Sequence, residues 1–133
     1  MSHYFTDPWQ PFHTGQSETE GIVHRPAEWS IACAYQELQT IIEEDLGGYP
    51  TLTIPTGDDW LSKFVIQGAR TSHPHYQTCI DHYDVKKGVK DPPSGLDQEL
   101  KDVLAKIIGQ TVIALSRVLD KLFTEAAVTP PTG

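Results

Sequence analysis

Cysteine is scarce. Two residues, Cys33 and Cys79, stand far apart in a chain of 133, too few for a disulfide framework, and both fall inside predicted helices, so reduced and buried thiols are expected. Basic charge is also short: ten Lys and Arg against 18 Asp and Glu leave a net charge of -8 with His neutral. A nucleic-acid backbone would meet net repulsion, so nucleic acid is not an expected partner. The one basic cluster, Lys86, Lys87 and Lys90, has Asp81, Asp84 and Asp91 beside it and suits a helix C-terminus. No apolar run reaches the ~18 residues that a membrane span needs. No basic segment followed by an apolar one opens the chain, so neither a membrane nor a visible secretion signal is expected. The expected setting is cytoplasmic or a virion. Phosphate-cradling glycine patterns, G-x-x-x-x-G-K-[ST] and G-x-G-x-x-G, are missing as well, and no cofactor is expected.

What remains is the material of one small domain. The length fits a single core, and Leu, Ile, Val and Phe make up about a quarter of the chain, enough to bury one. Ten Gly and ten Pro assign a good part of the rest to loop or arm. The first 24 residues hold Tyr4, Phe5, Trp9, Phe12 and Ile22 among Pro8, Pro11, Gly15 and Gly21, with no period of 2 or 3.6 joining them. That composition predicts an extended arm over residues 1–25. Solvated tails are poor in aromatics, so this arm is expected to dock, with Trp9 and Phe12 as its anchors on a neighbouring subunit.

A helical domain is predicted over residues 26–128. Pro26 suits a first helical position, and Ile31, Tyr35, Leu38 and Ile42 follow at spacings of 4, 3 and 4 until Gly47 and Gly48. Residues 49–55 alternate Leu52 and Ile54 with threonines between two prolines, which predicts an extended connector. Thr56 is placed to cap a third element carrying Trp60, Leu61, Phe64 and Val65, ending near Gly68. Pro74 opens another, with Tyr76, Cys79, Ile80 and Tyr83 before Lys86 and Lys87. Ser94 and Asp97 form the S-x-x-D of a capping box ahead of the longest element. The fold class expected is mainly α: about four helices, an extended N-terminal arm and a long C-terminal helix, with residues 129–133 as a tail.

The long helix carries more apolar surface than one neighbour can cover. Leu104, Ile108, Thr111, Leu115, Val118 and Leu122 are spaced 4, 3, 4, 3 and 4, a heptad seam. A second row, Ala105, Val112, Leu119 and Ala126, widens the apolar arc to roughly 200°, against the ~100° of an ordinary surface helix. Ile113 falls in the opposite, polar arc. At 1.5 Å per residue the helix runs about 45 Å, longer than the ~36 Å diameter of a globule of this size. Gly109 could bend it. Unbent, the helix either projects or is buried by other chains. The residues expected to form the contact are Tyr4, Phe5, Trp9, Phe12, Leu104, Ile108, Ile113, Leu115 and Leu122.

Residues with reactive chemistry form weaker patterns. His75, Cys79 and His82 share one side of a helix, with His73 just before them, yet the first and last lie about 10 Å apart along the axis, so one ion cannot hold all three. Burial of Cys79 and surface hydrogen bonding of the imidazoles is the simpler reading, and no bound metal is expected. Gly57-Asp58-Asp59 repeats the G-D-D triplet of nucleic-acid polymerases, but a chain this short cannot build that fold, and first-turn carboxylates explain it. Asp81, His82, Asp84 and nearby Ser72 lack a G-x-S-x-G elbow. Glu43, Glu44 and Asp45 repel one another at a helix C-terminus and suit a solvated face. No catalytic residue is therefore assigned.

Three functions fit, in descending order. The first is a non-enzymatic structural or adaptor subunit of a larger protein assembly, such as a cement, neck or connector component of a virion, whose partners are other protein subunits of the same or a different chain. The second is a small acidic intracellular binding protein of inhibitor or immunity type. The third is a metal-binding enzyme built on the His75, Cys79 and His82 row.

Overall fold

The structure, a computed structural model, describes residues 18–128. Six α-helices account for most of them: α1 (Glu18–Cys33), α2 (Tyr35–Thr40), α3 (Trp60–Ser72), α4 (Tyr76–His82), α5 (Val85–Lys90) and α6 (Gln98–Val128). Among the described residues there is no strand, only one antiparallel bridge between Tyr83 and Leu96. A mainly α domain with a long C-terminal helix is thus what the chain forms. Tyr4, Phe5, Trp9 and Phe12 lie outside the described residues, as does the 129–133 tail.

The first helix corrects the sequence in two ways. It starts at Glu18 and carries Pro26 in its interior, so residues 18–25 are helical where an extended arm is predicted. Its buried face is also different: Ala27 and Ser30 point inward, as does Ala34 just past its end, while Ile31 is half-buried and Tyr35, the first residue of α2, is exposed. Small side chains let α1 lie close to the 3-10 turn Pro92–Gly95 and to α5. That close packing offsets the roughly 3 kcal/mol that an interior proline costs a helix. From Ala34 the chain runs through α2 into a wide π-helical turn, Ile41–Asp45. This turn closes with Leu46 N–H donating to Ile41 O at 2.9 Å and Gly48 N–H to Ile42 O at 2.8 Å. Gly47 and Gly48 stop it, with φ of 77° and 108° that side-chain-bearing residues rarely adopt.

The connector after Gly48 forms no helix or strand and delivers Leu52 and Ile54 against the second cluster, beside Phe64 of α3 and Val118 of α6. Helix α3 begins at Trp60; Asp59 occupies the N-cap without a side-chain hydrogen bond, so Thr56 does not cap. Gly68 is a buried interior position of α3, which runs on to Ser72. The single helix predicted from Pro74 to Lys87 is split. A 3-10 turn, His73–His75, leads into α4, and the chain leaves helical geometry at Tyr83, where ψ is 124°. Asp84 then caps α5 by accepting the Lys87 N–H at 3.0 Å.

Tyr83 explains the break. Its hydroxyl hydrogen-bonds Ser30 Oγ of α1 at 2.8 Å in a buried site. Its ring fills the space where glycines come close, since a Cβ on Gly95 would lie 2.7 Å from Tyr83 Cε2 and 2.9 Å from Gly88 Cα. The cap of α6 is also reassigned. Asp97 accepts the Leu100 N–H at 2.8 Å, whereas Ser94 turns back to Asp91 within the preceding turn. From there α6 runs unbroken for 31 residues, about 46 Å at 1.5 Å per residue. Gly109 does not interrupt it and lies beneath Pro50 and Ile42.

One helix thus spans two cores. The first gathers Leu38, Ile42, Cys79, Tyr83, Leu100 and Leu104 with their neighbours around the N-terminal half of α6. The second holds Phe64, Ala114 and Val118 in full burial, with Leu52, Ile54, Trp60, Val65, Leu115 and Leu122 half-buried around them.

Candidate functional site

The two heptad rows of α6 meet different surroundings. Leu104, Thr111 and Val118 are buried by the chain itself. Ile108, Leu115 and Leu122 pack half-buried against the two cores. The second row is divided along its length. Ala105 is fully buried, and Gly109 beside it is covered by Pro50 and Ile42, but Val112 and Leu119 keep 42% and 39% of their surface in contact with solvent. Phe123 exposes 71%, and Ser116 and Ala126 are exposed as well. Across the arc from Ala105 to Ala127 on this side of the helix no residue is charged. These side chains form one uncharged strip rather than exposed residues scattered singly.

This placement revises the predicted contact residues. Leu104, at 1% exposure, is core rather than contact, because it shares the first cluster with Leu38, Ile42 and Cys79 from other elements. Ile113 is half-buried and lines a groove with Pro50, Thr51 and Arg117, so the chain's own connector supplies part of the cover that it needs. Phe123 was missed by the sequence, although its place beside Leu119 on the helical wheel marks it. A second exposed apolar pair, Ile22 and Trp29, sits two turns apart on α1, with Val89 exposed on α5. Their signal is hidden because the inward face of α1 is made of alanine and serine rather than large apolar residues.

The histidine and cysteine row is dispersed. Cys79 is buried at 0% exposure, and burial pushes its thiol up to about 12, which disfavours the thiolate a metal requires. Burial and, secondarily, the Lys106 ammonium hold His75 below the ordinary histidine value. His82 is turned the other way, toward the start of α6. Its Nδ1 lies 2.7 Å from Asp97 Oδ2 and its Nε2 lies 3.5 Å from Glu99 Oε2. The hydrogen bond with Asp97 raises its pKa above the ordinary value, against a smaller opposing effect of desolvation. For Asp97, desolvation pushes the carboxyl up, but the Leu100 N–H and His82 together outweigh it and hold the group below its usual range. Among the described residues no group of three or more His, Cys, Asp or Glu is placed to hold a metal ion.

Nor do the described residues assemble a nucleophile. Ser72 is buried at 1% exposure and its hydroxyl lies 3.4 Å from the Ala69 carbonyl. Ser94 shares an open groove of about 500 Å³ with His82 and Asp97, but its hydroxyl is bonded to Asp91. His82 directs both ring nitrogens at carboxylates, which serves to tie α4 to α6. Asp59 forms an ion pair with Lys63 at 3.1 Å, a local role for the Gly57-Asp58-Asp59 triplet. Glu43, Glu44 and Asp45 are exposed. Cys33 is exposed, against expectation, because α1 turns Ala27, Ser30 and Ala34 inward instead.

No helix of the described residues is long and apolar enough to cross a membrane. Comparison of the chain with protein-family models, with characterised proteins and with solved structures finds no match, so the geometry of the surface carries the functional reading.

Proposed function

We propose that the chain is a non-enzymatic structural or adaptor subunit of a larger protein assembly, cytoplasmic or part of a virion, and that the distal half of α6 is its contact surface. One observation carries the reading: Val112, Leu119 and Phe123 form an uncharged exposed strip on a chain of net charge -8. Burying each large apolar side chain is worth about 1.5 to 3 kcal/mol. A helix that leaves a row of them in water at helical spacing is shaped for a partner. The hydrogen bond of His82 Nδ1 to Asp97 and the burial of Ser72 and Cys79 support a binding role over a catalytic one. The aromatic residues Tyr4, Phe5, Trp9 and Phe12 give the same subunit a second means of attachment.

A photoreactive benzophenone side chain at position 119 of the full chain, activated in the cells that make the protein, tests this. Covalent attachment to another protein chain at position 119, and none from the exposed position 86 on α5, is expected. Absence of any protein adduct at 119 contradicts the reading.

A further inference from the structure

We propose that the groove between the π-helical turn and α6 is a binding site for a small aromatic carboxylate. It is separate from the exposed strip of α6 and does not depend on the reading of that strip as a contact surface.

Three local features make the groove. The turn Ile41–Asp45 is π-helical, a geometry that is rare and recurs at functional sites, and its residue Ile42 lines the groove together with Leu46 just beyond it. Gly47 and Gly48, with φ of 77° and 108°, then turn the chain so that Tyr49 and Pro50 line the same space. From α6, Gly109 lines it. Glycine is a poor helix former, and a Cβ here would meet only ordinary contacts, 3.5 Å from Pro50 and 3.7 Å from Ile42. Packing alone therefore does not require glycine at this position. Its bare backbone leaves room between Pro50 and Ile42 that a longer side chain would fill.

Size and lining select the occupant. The groove holds about 420 Å³, within the range of small-molecule sites. Along α6 it runs from Ala105 to Gln110, about 8 Å at 1.5 Å per residue. That length seats a pair of fused rings and is too short to seat a partner's helix. Leu46 and Tyr49 keep 46% and 39% exposure, so a ring entering here covers apolar surface that the chain leaves in water. Tyr49 adds an aromatic contact.

Charge sets the polar end. Lys106 is the single charged residue among the described residues that line the groove, on a chain where 18 acidic residues face ten basic ones. Its ammonium has no hydrogen bond or ion pair with another described residue. Gln110 follows at i+4 on the same row of the helix and adds an amide donor. The acidic groups nearby are directed elsewhere: Glu43, Glu44 and Asp45 are exposed and do not line the groove, and Asp102 accepts from Gln98 Nε2. An apolar ring with a carboxylate at one end matches this lining, its oxygens accepting from Lys106 and Gln110.

The test titrates the full chain with 2-naphthoate and follows the amide signals by NMR. Signals of Gly47, Gly48 and Gly109 should shift together, with a dissociation constant on the order of 1 mM or tighter for a ligand of this size, while those of Leu119 and Phe123 stay in place. Lys106→Gln, at an exposed position, should weaken binding about tenfold with an unchanged helical circular dichroism signal. The neutral 2-naphthalenemethanol should bind the unaltered chain about tenfold more weakly than the acid, and the Lys106→Gln chain should bind the two alike. Glycine signals that stay fixed up to about 10 mM naphthoate, or shifts confined to Leu119 and Phe123, overturn the site. Acid and alcohol binding the unaltered chain equally overturns the carboxylate as its ligand.

Discussion

The two cores strung along α6 differ in how completely the chain closes them. The first buries Leu38, Ile42, Cys79, Leu100 and Leu104 together and is sealed by Tyr83, whose hydroxyl is paired with Ser30 and whose ring sits against Gly88 and Gly95. The second buries only Phe64, Ala114 and Val118 and relies on half-exposed neighbours. One is a self-sufficient packing unit with its polar group satisfied. The other is smaller, with Val112, Leu119 and Phe123 exposed on its flank. A helix of about 46 Å outruns a body of this size. Both halves serve the chain's own fold, but only the C-terminal half keeps a row of apolar side chains exposed.

Lesions placed in the two regions should behave differently. The largest effect is expected from Gly95→Ala, whose Cβ would meet Tyr83 at 2.7 Å and the Gly88 backbone at 2.9 Å. Because backbone cannot give way, a global loss of about 3 kcal/mol or more in urea unfolding is expected. Leu104→Ala removes a fully buried side chain of the first core and should cost about 2 to 5 kcal/mol in the same global transition. Phe64→Ala, though its truncation falls in a similar class of about 3 to 5 kcal/mol, should act locally. Amide exchange should accelerate in α3 and the C-terminal half of α6 while Leu100 and Tyr83 keep their protection. Uniform acceleration would dissolve the distinction between the regions.

Sequence legibility follows the same divide. The long helix was legible because its apolar residues are large and strictly spaced, and the connector because Leu52 and Ile54 alternate between prolines. Neither the start nor the inward face of α1 was legible, since Ala27, Ser30 and Ala34 bury through closeness rather than hydrophobic bulk, and Pro26 imitates a helix start. The break at Tyr83 has no local signal. It depends on Ser30, Gly88 and Gly95, the first more than fifty residues away. For the contact surface, both rows of α6 were visible, but nothing local decides which row the chain keeps for itself. That choice is made by which distant segments arrive: Leu38, Ile42 and Cys79 gather in one core with Leu104, while Phe123 is left exposed.

Smaller effects refine the comparison. The His82 and Asp97 pair ties α4 to α6 in the first region. His82's raised pKa makes its share of the stability complete below the ordinary histidine value and lost as pH rises through the raised one. Asp97's lowered pKa makes its share complete above the ordinary carboxyl value and lost as pH falls through the lowered one. The pair's contribution is therefore complete between the ordinary carboxyl value and the ordinary histidine value, and is lost outside that window as pH falls through the lowered Asp97 value or rises through the raised His82 value. Asp97→Asn should move the His82 titration midpoint, followed by NMR, downward; an unmoved midpoint would show that Asp97 does not set it. The smallest effect lies at the boundary of the two regions. A Cβ on Gly109 would meet Pro50 and Ile42 at ordinary contact distances of 3.5 to 3.8 Å. Gly109→Ala should therefore raise the unfolding midpoint by the equivalent of about 0.5 to 1 kcal/mol of helix propensity.

The central claim, that the chain closes its first core by itself and leaves the flank of its second open, is tested most directly by amide hydrogen exchange of the purified full chain. The account predicts slow exchange around Leu104 and Tyr83 and clearly faster exchange across residues 112–126. Equal protection of the two segments would contradict it.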